Sequence, residues 1–357
     1  MTRKTGQAHA QSQPQSQLRP RGLQDEGEAT PEDDRSSSFM VYVVATALRS
    51  LNRCLVLLRE LPQDQVAVLV LGRAQKTAVL AVEVQKLMGL WRLLHPVLTK
   101  STYRASNRRL KFLLALLSSD DGRVWLERLV GHIKPDTAKH RSAIDKLTRA
   151  LAGPAAERAS YQAGDSGPYG RDLSVAELTI MVEQESRAWR AVPTTALAQD
   201  LVIDRGFLRT YQRGQACSEG QRSAAGQADA ATAAELTRWH LWVLCFAVQL
   251  KLLGQGPDDE RQRNLWYAEH LAECLDETRA LARVLGSAQF AELADSKPKT
   301  ARRAERVIRA RIDRLVERRE PLGSKTYHRA GAQLRYDVAG DVERLQSQNA
   351  LNMLLLA

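Results

Sequence analysis

Aromatic residues make up only 5% of the 357 positions, and the four cysteines, Cys54, Cys217, Cys245 and Cys274, include no C-x-x-C pair. Scarce rings argue against a base-stacking platform for single-stranded nucleic acid, although a contact to nucleic-acid backbone alone stays open. Four scattered cysteines in apolar helical patterns read as buried thiols rather than zinc ligands or disulfides, and a reducing cytoplasm fits them best. No apolar run reaches the ~20 residues of a membrane helix. The longest candidate, around residues 239–253, is interrupted by His240, Gln249 and Lys251, so no membrane span is expected. No apolar segment follows the basic start of the chain, which argues against a secretory signal.

Motifs of catalysis are missing as well. There is no Walker loop, G-x-G-x-x-G element or G-x-S-x-G elbow, and the seven histidines include no H-E-x-x-H pair. His95 before Pro96 and His240 beside Trp239 read as packing or capping residues. Glu183, Glu185 and Arg187 are superficially similar to the E-x-E-x-K signature of triphosphate tunnel enzymes, but they fall in a helical pattern and not on a barrel strand. The expectation is a protein that is not an enzyme and holds no metal or cofactor.

What is present is helical periodicity and positive charge. Apolar residues recur at helical spacing through 39–60, 63–95, 101–117 and 121–133, and again through 207–228, 231–253, 260–285 and 299–320. No stretch alternates with period two for long, so the fold class is all-α, as two internally repeated helical bundles. Residues 1–38, rich in Gln, Ser, Pro and charge, read as a disordered tail. Residues 39–152 form a first helical half, 153–205 a linker with one helix, 206–345 a second half and 346–357 a short C-terminal tail. Ser174 and Glu177 have the spacing of a capping box that would start the linker helix. The breaks at 254–257 and 296–298 carry Gly or Pro.

Lysine and arginine number 52 against 41 acids, a formal charge of +11. Such a balance favours polyanionic partners such as nucleic acid, inorganic phosphate polymers or anionic lipid, although a solvated basic surface accounts for it equally. The surplus is local: residues 297–335 hold 13 basic residues against four acids. There Ala304, Val307, Ile308, Ile312, Leu315 and Val316 form an apolar stripe, with Arg302, Arg303, Arg306, Arg309, Arg314 and Arg318 on other faces.

Two sets of segments carry a family resemblance. In the first half they are residues 86–96 (KLMGLWRLLHP), 103–111 (YRASNRRLK) and 117–121 (LSSDD); in the second, 206–214 (GFLRTYQRG), 235–244 (ELTRWHLWVL) and 249–253 (QLKLL). Together they resemble the CHAD family, the conserved-histidine α-helical domain, over roughly residues 40–345. The resemblance implies two repeated helical bundles, a basic central surface that binds inorganic polyphosphate, and no catalytic activity.

The family's own residues are largely replaced. Where its first histidine helix has His, Arg, Lys and Arg, this chain has Ala78, Ala81, Gln85 and Met88, with Lys86 retained. In the second copy Thr237, His240, Leu241 and Leu244 stand for His, Arg, Lys and Lys. Cys274 to Arg279 lacks the later His-Asp pair, and Asp337, Val338 and Ala339 replace Glu-Lys-Pro. Each substituted set falls on one helical face, so the loss is concerted.

The cations left as candidate polyanion ligands are Lys86, Arg92, Arg108, Arg109, Lys111, Arg209, Arg213, Arg238, Lys251, Arg319, Lys325 and Arg329. Binding requires several of them to converge, because single exposed ion pairs contribute only about 0–1 kcal/mol. Two readings follow: a polyanion-binding module, polyphosphate foremost, with a remodelled site; or a CHAD-like scaffold or protein-interaction domain, whose pocket has filled with apolar packing. The stripe Trp239, Trp242, Val243, Phe246, Leu250 and Leu253 reads as core.

Overall fold

A computed structural model of the protein describes residues 38–67, 76–152, 173–223, 230–253 and 259–356. The disordered-tail reading of residues 1–37, the loop at 153–171 and the break at 254–257 lie outside them. Among the described residues the architecture is all-α, and the sole β-type pairing is an isolated bridge between Val66 and Ser174.

The helices in chain order are α1 (Ser38–Arg59), α2 (Thr77–Leu93), α3 (Lys100–His132), α4 (Ala138–Ala152), α5 (Val175–Arg190), α6 (Ala196–Leu201), α7 (Leu208–Ser223), α8 (Ala230–Leu252), α9 (Asp259–Leu285), α10 (Ala288–Ser296), α11 (Pro298–Thr326) and α12 (Gly331–Leu356). Their starts are chemically marked. Thr99, Thr195 and Ser287 each accept a backbone N–H at the third helical residue of α3, α6 and α10. Ser174 and Glu177 form the reciprocal capping box of α5. Pro298 opens α11, where its missing N–H leaves no intrahelical bond unmade.

Burial follows the periodicity. In α1, Met40, Val43, Ala47, Leu51, Cys54 and Leu58 recur at three- and four-residue intervals and are all buried. This helix packs on α2, α5 and α12. Among the described residues it, and not the 239–253 stretch, is the helix long and apolar enough by composition to cross a bilayer; a third of that window is buried inside the protein.

The structure differs from the sequence reading at four places. Residues 101–117 and 121–133 belong to one helix, α3. The boundary at Gly206 is a π turn, Val202–Phe207, joining α6 to α7 without a break. Glycine is needed there because a Cβ would lie 2.2 Å from the Leu93 carbonyl oxygen. The 153–205 segment holds two helices, α5 and α6, where one was expected, and α5 brings fully buried Trp189 against Trp91, ring centroids 4.5 Å apart. Finally, α12 continues through residues 346–356.

Helices pack in sequence order: α1 on α2, α2 on α3, α3 on α4, and likewise α7 on α8, α8 on α9, α9 on α11. Three contacts join these runs, α2 with α8, α4 with α11 and, less extensively, α3 with α9. The α2–α8 approach is close: a Cβ on Gly89 would sit 2.9 Å from the Val248 side chain. Buried Gln249 reinforces it by donating to the Gly89 carbonyl (3.1 Å) and to Thr210 on α7 (3.0 Å).

Candidate functional site

Because α1 packs on α2, α9 on α8, and α2 on α8, the central helix pair floors a groove walled by α1 and α9. Its volume is about 730 Å³. Lys86 and Lys251 both line it, as do Gln85, His240 and Leu244, three positions where the CHAD pattern has a cation. The groove is not basic. Lys86 donates to buried Glu83 at 2.9 Å, which Arg53 also reaches at 3.3 Å, and Lys251 pairs with Glu269 at 3.3 Å. Arg49 and Arg53 on the α1 side face Glu269, Glu273 and Asp276 on α9. Cations and carboxylates therefore balance across it.

His240 is buried at the groove floor, its Nε2 3.8 Å from Asp276 and its Nδ1 without a hydrogen-bond partner. Burial pushes its pKa down to about 4, against the pull of Asp276 and helped by Arg279 and Arg283. It is a neutral imidazole, not a replacement cation. Met88, at another substituted position, is buried in the core, and Leu241 is packed against it.

Most of the other candidate cations tie helices together. Arg92 is buried, donates to the Leu241 carbonyl (2.8 Å) and Cys245 Sγ (2.9 Å), and lies over the Trp242 ring at 4.2 Å. Trp242 is thus a half-buried cover for a guanidinium. Arg109 bonds Glu185 (2.9 Å) and Ser106 (3.0 Å). Glu185 is fully buried and also accepts from Trp91 Nε1; burial pushes its carboxyl up in pKa while the Arg109, Trp91 and Ser106 bonds pull it down. Arg329 pairs with Glu260 and Asp337, both at 2.8 Å. Arg209 bonds His95, and burial together with the Arg209 charge lowers that imidazole's pKa. Arg319 covers the Trp239 ring and Lys325 the Tyr267 ring, each at 5.2 Å. Arg213 and Arg238 flank the Cys217 thiol, and Arg108 and Lys111 are exposed on α3. The twelve do not gather on one surface.

A basic site lies elsewhere, where the end of α3, the 133–137 turn and the start of α4 meet α9 and α11. This cleft of about 500 Å³ is lined by His132, Lys134 and His140 on one side and Arg306, Arg311 and Arg314 on the other. Its acidic lining is Asp136 and Glu277, and Glu277 is engaged by Arg311 in a two-pronged bond of 2.7 and 3.0 Å. That pairing raises the Arg311 pKa through the Glu277 hydrogen bonds. Lys134, Arg306 and Arg314 are left exposed over the cleft. Arg306 and Arg314 sit four residues either side of Ala310, which lines the cleft between them; eight residues of helix set them about 12 Å apart along the axis. Thr137 caps α4 at His140, placing the positive end of that helix beside the cleft. The 132–152 segment itself has five basic and two acidic residues.

Sequence reasoning placed Arg306 and Arg314 on the basic face of α11 but not in a site. The signal present was the local surplus in 297–335. The missing piece was that α4 lies against α11, which brings in Lys134 and the two histidines from 170 residues away. Glu183 and Glu185 do not converge: Glu183 pairs with Arg59, while Glu185 is sealed in the core. Among the described residues no group of three His, Cys, Asp or Glu is placed to hold a metal, and all four cysteines are free thiols.

No family model, no curated protein and no solved structure matches the chain.

Proposed function

We propose that the protein is a non-catalytic polyanion-binding bundle of the CHAD type, with inorganic polyphosphate as its ligand, held in the α4–α11 cleft and not in the central groove. The observation that carries this reading is the convergence of Lys134, Arg306 and Arg314, with His132 and His140 beside them, around a cleft whose Glu277 is already engaged by Arg311. Guanidinium and ammonium groups supply charge-assisted hydrogen bonds to phosphate oxygens, and Arg does so bidentately. A linear polymer suits the site, because exposed Arg302 and Arg303 extend the positive charge along α11 about one turn beyond Arg306.

The CHAD assignment rests on the sequence resemblance and is supported by the packing order. The runs α1 to α4 and α7, α8, α9, α11 pair element by element, and the helices aligned with the two family histidine helices, α2 and α8, meet at the centre. An internal repeat would produce this arrangement. The free thiols agree with a cytoplasmic setting.

Titration of the full chain with long-chain polyphosphate at low ionic strength tests the reading. Binding that weakens steeply with added salt is expected. Absence of binding overturns it, and equal displacement by duplex DNA at matched phosphate concentration overturns the choice of polyphosphate. A second reading, a scaffold whose central pocket has lost its anion, is favoured specifically by the charge balance of the groove and by buried Met88.

A further inference from the structure

The central groove has lost the cations of a phosphate site, yet it has not closed. Its floor carries an apolar strip, Leu90 on α2 and Leu244, Ala247 and Val248 on α8, beside the polar Gln85, Lys86, His240 and Lys251 of the same helices. Val82, which lines its edge, is exposed. The two walls carry opposite charge: Arg53 on α1 is engaged by Glu83, and Glu269 and Asp276 on α9 by Lys251 and Arg279, which leaves Arg49 on one wall and Glu273 on the other outside any ion pair among the described residues. On the α1 wall the lining residues run from Tyr42 to Arg53, a length of about 16 Å, or three helical turns.

We infer that this groove is the docking site for an amphipathic helix of a partner protein, with one acidic and one basic flank. An extended segment is disfavoured because its backbone N–H and C=O groups would lie along the apolar strip, with no strand edge among the described residues to pair them. A helix satisfies its own backbone and presents side chains at i, i+3, i+4 and i+7 to such a floor. Charge complementarity then fixes the flanks: carboxylates beside Arg49, and ammonium or guanidinium groups beside Glu273. The inference stands apart from the anion cleft, since it uses different residues and a different face of α9.

Fluorescence anisotropy on the full chain tests it with three synthetic helical peptides of about four turns. All have leucines along one face; one carries Glu on one flank and Lys on the other, the second Lys on both flanks, the third Glu on both. A peptide with its flanks exchanged is not a control, because the helix can reverse its direction in the groove. The mixed peptide is expected to bind at least tenfold tighter than either uniform one. In the Arg49→Glu variant, which alters an exposed position outside any ion pair among the described residues, mixed-peptide affinity falls about tenfold and the all-Lys peptide becomes the preferred one. A second variant, Leu244→Glu, is expected to abolish binding of the mixed peptide, with circular dichroism reporting retention of the fold. Equal affinity for all three peptides, no measurable binding of the mixed peptide, or indifference to the Arg49 reversal overturns the inference.

Discussion

Removing one member of the buried Arg109–Glu185 pair should be far more damaging than removing the other. Glu185 is fully buried among α2, α3 and α5, with Trp91 Nε1 and Arg109 as its donors. Arg109 has a side chain 24% exposed and lines a surface cleft beside Ala105 and Pro193. Arg109→Leu strands a carboxylate that water cannot reach, at a cost of about 3–5 kcal/mol. Glu185→Leu leaves a guanidinium that can turn outward, and its main cost is the unpaired Trp91 N–H, about 1–3 kcal/mol. The double variant should be milder than Arg109→Leu alone, a positive coupling in the double-mutant cycle. A pH dependence follows. Burial already raises the Glu185 pKa, and loss of Arg109 raises it further, so the folded variant binds a proton that the unfolded chain releases. That protonated form is stabilising below the unfolded pKa near 4.5, and the contribution is lost as pH rises through the folded value. The Arg109→Leu deficit should therefore shrink on acidification. Urea unfolding of both variants at two pH values measures it. Equal losses in the two single variants, or a deficit that does not change with pH, would refute the reasoning.

Three other perturbations separate packing from site. Gly206→Ala should cost more than about 3 kcal/mol, since its Cβ meets the Leu93 backbone oxygen and no side-chain rotation can relieve that, whereas Gly340→Ala, with open space around it, should gain about 0.5–1 kcal/mol; thermal melts compare them. Met88→Arg should lower stability by several kcal/mol in chemical unfolding, because it buries an unpaired charge 3% exposed in the core, and unchanged stability would mean that this face of α2 is open to solvent. His240, with a folded pKa near 4 and an unfolded one near 6.5, makes the fold acid-sensitive. Its contribution is complete above about 6.5 and is lost as pH falls toward 4, by up to about 1.4 kcal/mol per unit, and His240→Phe should flatten that slope in urea titrations across the window.

Local chemistry was legible in the sequence. The Ser174 and Glu177 box, the apolar faces of α1 and α11, and the core members Trp239, Val243, Phe246, Leu250 and Leu253 all follow from helical spacing and capping. Gly206 was misleading, because glycine suggests a boundary until the Leu93 carbonyl pressing on it is seen. The basic residues were the hardest to assign. Arg92 and Arg109 look the same in sequence as Arg306 and Arg314, but the partners that bury them, Leu241 and Glu185, are 149 and 76 residues away. Charge on a helix face is a sequence property; whether a carboxylate waits opposite is a property of the packing.

The central claim is where the anion binds. Calorimetric titration with long-chain polyphosphate should compare the Arg306→Ala, Arg314→Ala double variant with Lys86→Ala, Lys251→Ala. Each charge-assisted phosphate contact is worth about 1.5–3 kcal/mol, so the first pair should lose about 100-fold or more in affinity and shallow the salt dependence, while the second stays close to wild type. Loss of binding in the Lys86 and Lys251 variant, with the Arg306 and Arg314 variant unaffected, would contradict the account and return the site to the central groove.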